Sequence, residues 1–178
     1  SCGTLLHASN SGSGINVYGS QVYAGNAGIT MDSTGGSGIR VTAGSTVETS
    51  GGHIDLLADD SAYGIYIDAS AIQSAGGDIA MHATSYVGGG IKIQNAASID
   101  SGGGAVLLDV SGGEFGIYLD GSSIASGDGS VTLDASGNHV GIQVSAAASI
   151  TSTGGAITLS ALGSHGGIMV DGSDIASS

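Results

Sequence analysis

The sequence has no proline, no tryptophan, one phenylalanine and one cysteine, and sets only two cationic side chains, Arg40 and Lys92, against 15 acidic ones. Each scarcity excludes something. A net charge of −13 is wrong for nucleic acid, whose phosphates demand clustered Lys and Arg, and for an anionic membrane surface. It suits an extracellular surface that repels its neighbours or collects cations. One cysteine, Cys2, cannot build an internal disulfide framework. No apolar run approaches the roughly 20 residues of a membrane span. The opening SCGTLLHASN lacks the apolar core of a secretory leader, so the chain reads as a mature segment or a piece of something longer. The missing proline suits hydrogen-bonded sheets, because proline removes a ladder donor.

Glycine is abundant instead, 35 of 178 residues, in a chain that is 40% hydrophobic. Glycine-rich linkers lack regularly spaced Ile, Val and Leu. Here the apolar residues are regular. Gly-Ile followed two residues later by Val, Ile or Leu recurs at Gly14, Gly38, Gly64, Gly90, Gly116 and Gly141, and Gly167-Ile168 continues the series. The spacings are 24 to 26 residues, and near-constant periodicity of this kind marks a stacked repeat.

Each repeat holds three short alternating segments, exemplified by Ile65-x-Ile67, Ile72-x-Ser74 and Ile79-x-Met81-x-Ala83. Period-two alternation predicts strands with one buried face. Such strands are too short to stand alone. Stacked coil on coil, they build three parallel sheets in which each ladder position is filled by the neighbouring coil. Three inward columns follow. The first runs from Ile15 through Ile39, Ile65, Ile91, Ile117 and Ile142 to Ile168. The second runs from Val22 through Val47, Ile72, Ile99, Ile124 and Ile150 to Ile175, and the third from Leu6 through Met31, Leu56, Met81, Leu108 and Leu133 to Leu159. A small polar column, from Ala24 and Thr49 through Ser74, Ser101, Ser126 and Ser152 to Ser177, predicts buried hydroxyls bonded along the stack at the ~4.8 Å strand spacing. Gly-Gly pairs at 51–52, 76–77 and 154–155 predict a corner with positive φ. The expected fold is all-β: a parallel β-helix of about seven coils of 24–26 residues, three strands per coil, forming a single β-solenoid repeat domain over residues 1–178. Coils of this length with unequal strands favour the right-handed form by analogy with known solenoids.

The two ends read as complementary. From Ile175 through a Ser178–Ser1 junction to Thr4 the register matches Ile124 to Val131. Open solenoid ends expose strand edges, so the expectation is uncapped ends and head-to-tail continuation, either by adjoining repeats of a longer chain or by separate copies. Cys2, Thr4, Leu6, Met169, Val170, Ile175 and Ser177 are the candidate assembly residues. Cys2 stands where other coils have a corner glycine, as a tolerated small residue or as a thiol at the interface.

Outward residues are free of core duty. In the first strand they are Asn16, Arg40, Tyr66, Lys92, Tyr118, Gln143 and Met169. Alternating cations and tyrosines predict a cation–π ladder of Arg40, Tyr66, Lys92 and Tyr118, with a sugar-binding aromatic ridge as the functional alternative. After the third strand's inward position comes the column His7, Asp32, Leu57, His82, Asp109, Asp134 and Ser160. Asp109 and Asp134 are the candidates for Ca²⁺, against the plainer reading of a solvated acidic face; otherwise no cofactor is expected. His139 and His165 hold matching loop positions and read as surface residues, because two histidines without a third ligand are a weak metal signal. The outward column Leu5, Thr30, Asp55, Ala80, Leu107, Thr132, Thr158 is too broken for an ice-binding threonine face. No groove of clustered carboxylates with basic residues, as in polysaccharide-cleaving β-helices, is visible.

The repeat Gly116-Ile117-Tyr118-Leu119-Asp120, Ser123-Ile124-Ala125-Ser126, Val131-Thr132-Leu133-Asp134-Ala135 resembles large bacterial exoproteins of the filamentous haemagglutinin type. That resemblance implies a right-handed β-helix, export to the bacterial cell surface, and roles in adhesion, biofilm or surface fibres. It transfers no binding residue. The expected function is a structural extracellular fibre or adhesin stalk without catalysis. A carbohydrate-binding adhesin module is the alternative, and a polysaccharide-degrading enzyme a distant one. The expected partners are copies of itself or adjoining repeats, with surface glycans on the alternative reading, and neither nucleic acid nor an inserted membrane.

Overall fold

The computed structural model describes residues 3–9, 12–85, 88–136, 139–163 and 166–178. It is an all-strand β-solenoid of seven coils, three strands to a coil, in three seven-stranded parallel sheets. The first sheet runs from Thr4–Ser9 through Ile29–Thr34, Ile54–Ser61, Ile79–Ser85, Val106–Ser111 and Val131–Ser136 to Ile157–Leu162. The second runs from Ile15–Tyr18 through Ile39–Thr42, Ile65–Asp68, Gly89–Gln94, Phe115–Asp120 and Val140–Ser145 to Gly166–Val170. The third runs from Gln21–Tyr23 through Thr46–Glu48, Ala71–Gln73, Ser98–Asp100, Ser123–Ala125 and Ser149–Ser152 to Asp174–Ser177.

The inward columns are the register. Ile65 pairs with Ile39 and Ile91, Ile72 with Val47 and Ile99, and Met81 with Leu56 and Leu108. Most inner residues of these columns have no solvent exposure at all. Each fully buried Ile or Leu contributes about 1.5–3 kcal/mol of transfer free energy. β-Branched residues dominate because they suit a pleated, half-buried surface, and like side chains nest at one strand spacing.

The buried hydroxyls behave differently from a self-bonded ladder. Thr49 Oγ1 donates to the Gly52 carbonyl at 2.6 Å and lies 3.2 Å from the Ser74 carbonyl of the next coil. Ser74, Ser101 and Ser126 likewise face Gly77, Gly104 and Gly129. The single hydroxyl proton therefore serves backbone carbonyls at the corner, where they leave the sheet ladder. A second serine column has the complementary task. Ser45 N–H donates to Ser70 Oγ at 3.1 Å, and Ala97 N–H to Ser122 Oγ at 3.1 Å. The first column thus serves mainly carbonyls, while the second accepts from corner amides and also donates to nearby carbonyls, from Ser45 to Thr42, Ser70 to Asp68 and Ser122 to Asp120, as buried backbone groups require.

The two corners beside the third sheet differ. Positive φ occurs at both: at every corner entering that sheet, and in the corner leaving it at Gly25, Gly51, Ala75, Gly76, Gly102, Gly103 and Gly127, though not at the Gly154–Gly155 pair. Val17 to Val22, Ile67 to Ile72, Leu119 to Ile124 and Val170 to Ile175 are short connections, each with one left-handed residue: Gly19, Ala69, Gly121 and Gly172. Val41 to Val47, Ile93 to Ile99 and Val144 to Ile150 are one residue longer, each with two: Ala43-Gly44, Asn95-Ala96 and Ala146-Ala147. Short and long corners alternate along the stack and bond to each other. Ala69 N–H donates to the Gln94 carbonyl, and Ala96 N–H to the Gly121 carbonyl.

In the Gly-Gly corner, Gly51 and Gly76 have φ of 116° and 118°, whereas the second glycine of each pair does not have positive φ. Its reason is space. A Cβ on Gly77 would lie 2.2 Å from the Gly52 carbonyl oxygen, and one on Gly104 would lie 2.2 Å from that of Gly77. At this corner a side chain would point along the stack into the preceding coil.

Candidate functional site

The outer face of the second sheet carries the two cations. The register sets Arg40 beside Tyr66, Tyr66 beside Lys92, and Lys92 beside Tyr118. The Arg40 guanidinium carbon lies 5.2 Å from the Tyr66 ring centre. Lys92 Nζ lies 6.0 Å from the Tyr66 centre and 5.3 Å from that of Tyr118. Both distances suit cation–π attraction. Gln94 Nε2 donates to Tyr66 Oη at 2.7 Å. Partial burial, and then the nearby negative charge of Asp68, push the Tyr66 phenol above its ordinary pKa. Among the described residues neither Arg40 nor Lys92 forms an ion pair with a carboxylate; the three ion pairs there are all His–Asp.

Beside this ladder lies a shallow groove. Phe115 and Gly89 pair in register. Tyr63, one residue before Gly64, holds the matching place in the preceding coil. Tyr63 is 63% exposed and Phe115 47%, and the glycine between them leaves a slot. Arg40, Tyr66 and Lys92 complete its lining. Tyr63 and Phe115 escape a reading of strand periodicity because they fall in the stretch of variable length before the Gly-Ile pair, although in the structure Phe115 opens a strand.

The acidic column is organised as cross-coil pairs. His7 Nδ1 lies 3.1 Å from Asp32 Oδ2, and His82 Nδ1 lies 3.3 Å from Asp109 Oδ2. A third pair, His53 with Asp78 at 3.5 Å, lies in a corner column that the strand pattern does not single out. Asp109 pairs in register with Asp134 but has His82 as its neighbour on the other side. No cluster of three or more metal-ligating side chains occurs among the described residues. His139 is exposed; His165 lies outside the described residues, as does Cys2.

The remaining assembly candidates fall at opposite edges of the stack. Thr4 and Leu6 are on the outermost strand of the first sheet, Met169 and Val170 on that of the second, and Ile175 and Ser177 on that of the third. At the last coil the core faces solvent: Ile168, Val170 and Ile175 are 47%, 46% and 39% exposed, against 0% for Ile142, Val144 and Ile150 one coil earlier. Among family models, curated proteins and solved structures, none matches this chain.

Proposed function

We propose that this chain is a structural, non-catalytic segment of an extracellular fibre or surface stalk, in which coils of the same kind continue beyond both edges of the stack. The observation that carries this reading is the unbroken register of three parallel sheets over seven coils, in which each coil is the template for the next. Unpaired parallel edges above an exposed core are a template for more of the same. A heterologous contact of this sort does not close on itself. Seven coils at ~4.8 Å give each chain about 34 Å of rod. The excess acidic charge fits a rod that stays apart from its lateral neighbours.

Negative-stain electron microscopy with diffraction from aligned samples tests this. The expected result is unbranched rods much longer than a single chain, with a meridional reflection near ~4.8 Å. Stable, compact monomers at high concentration would refute continued stacking.

A further inference from the structure

Gly89 has no backbone reason to be glycine. Its φ is not positive, and a Cβ there would meet only the Phe115 Cβ, at 4.0 Å. Its neighbour Gly90 is different, since a Cβ there would lie 2.2 Å from Val110 Cγ1. A residue at 89 larger than glycine would pack between Tyr63 and Phe115 and gain cross-strand contact. Glycine in a strand with neither positive φ nor a close backbone neighbour leaves room for something else to approach.

The surroundings define what that is. The two walls are solvent-exposed aromatic rings. The chain's two Lys and Arg side chains, Arg40 and Lys92, border the slot two coils apart, about 10 Å at the parallel-strand spacing, and among the described residues neither forms an ion pair with a carboxylate. The nearest acidic side chains on this face have neutral hydrogen-bond donors: Asn95 Nδ2 donates to Asp68 Oδ1 at 2.6 Å, and Ser145 Oγ to Asp120 Oδ1 at 3.2 Å, while Asp68 also sets its negative charge near Tyr66. An apolar slot with a few fixed polar groups is the general form of a ligand site.

We propose that this slot binds a linear acidic polysaccharide, with one sugar ring over Gly89 between Tyr63 and Phe115 and its carboxylates on Lys92 and Arg40. A pyranose presents a flat face rich in C–H bonds, which matches the rings. A polymer with a carboxylate on alternate sugars repeats over roughly the distance between the two cations. An acidic peptide is the poorer fit, because the slot lies on the face of a sheet, away from any edge that could pair with a peptide backbone. The inference stands apart from the fibre reading: it concerns coils in the middle of the stack and holds whether or not the ends continue.

Titration calorimetry with a hexameric oligogalacturonate, an oligomannuronate, the methyl ester of the first and hexaglutamate tests it. The expected result is salt-sensitive binding of at least one free acid, and binding of the ester at least about tenfold weaker. Gly89→Val should abolish binding without lowering the melting temperature. Lys92→Gln should weaken binding about tenfold and flatten its salt dependence. Undiminished binding by either folded variant would overturn the proposal. So would hexaglutamate binding as tightly as the glycan, or no binding of either free acid.

Discussion

Glycine does two separate jobs in this chain, and single substitutions tell them apart. At Gly104 the constraint is space, since a Cβ would come within 2.2 Å of the Gly77 carbonyl oxygen. Neither corner can retreat far, because each is held at its two ends by strands of the third and first sheets. Gly104→Ala should therefore cost about 3 kcal/mol or more, read as a lower urea midpoint. At the other corner the constraint is conformation, and there the chain is not optimised. Ala69 sits at φ 47° where the equivalent short corners have Gly19, Gly121 and Gly172. Left-handed geometry costs a residue with a Cβ about 1–2 kcal/mol, and glycine returns about 0.4–1 kcal/mol of that through its freer unfolded chain. Ala69→Gly should raise stability by up to about 1 kcal/mol, measured in the same denaturation series. A loss of stability would show that the alanine methyl has a packing role.

At the scale of strands and columns, stability comes from like residues repeated at one spacing. Arg40, Tyr66, Lys92 and Tyr118 alternate charge and ring, which avoids stacking two cations directly. Each contact is worth about 0.5–1 kcal/mol at an exposed site. Replacing Tyr66 and Tyr118 together by serine should lower stability by about 1–3 kcal/mol, counting the lost cross-strand contacts. An unchanged thermal melt would mean that the rings serve a ligand alone. The raised pKa of Tyr66 has a definite sign. Burial favours the neutral phenol in the folded state, so its contribution is full below pH 10, the ordinary value, and is lost as pH rises above it. The corners form a second repeating element. A long corner lies between short ones, and their backbone hydrogen bonds interlock, so the true structural unit is a pair of coils.

For the molecule as a whole, that pairing matters at the edges. The first and last coils both carry short corners, at Gly19 and Gly172. Direct stacking of two copies sets short against short, whereas a coil with a long corner continues the alternation. Inserting one residue after Gly172 should therefore lengthen rods formed by this chain in electron micrographs. Val170→Asp, which puts a charge on the exposed core column, should shorten them. Rod length unaffected by both would place the growing contact somewhere other than these edges.

The amino-acid sequence determined the coil. A fixed column of Ile, Leu or Val every 24–26 residues has one economical solution, because only stacking in register buries those side chains and pairs their backbones together. Coil number, strand positions, column membership and the Arg40–Tyr118 neighbours were all legible from spacing. The alternating corners were legible in principle, from Leu119 to Ile124 against Val144 to Ile150. Total coil length hid them, since the loop before the Gly-Ile pair also varies in length. Other features needed three dimensions. Ala69 and Ala96 take left-handed geometry although alanine carries no such signal. The corner glycines answer to carbonyl oxygens about 25 residues away. The buried serines bond to corner carbonyls rather than to each other. Gly89 opens a slot between two rings that sequence alone leaves among loop residues. For the corner glycines and the Gly89 slot the deciding contacts lie across the stack, between residues of different coils, where chain order is silent and packing is not.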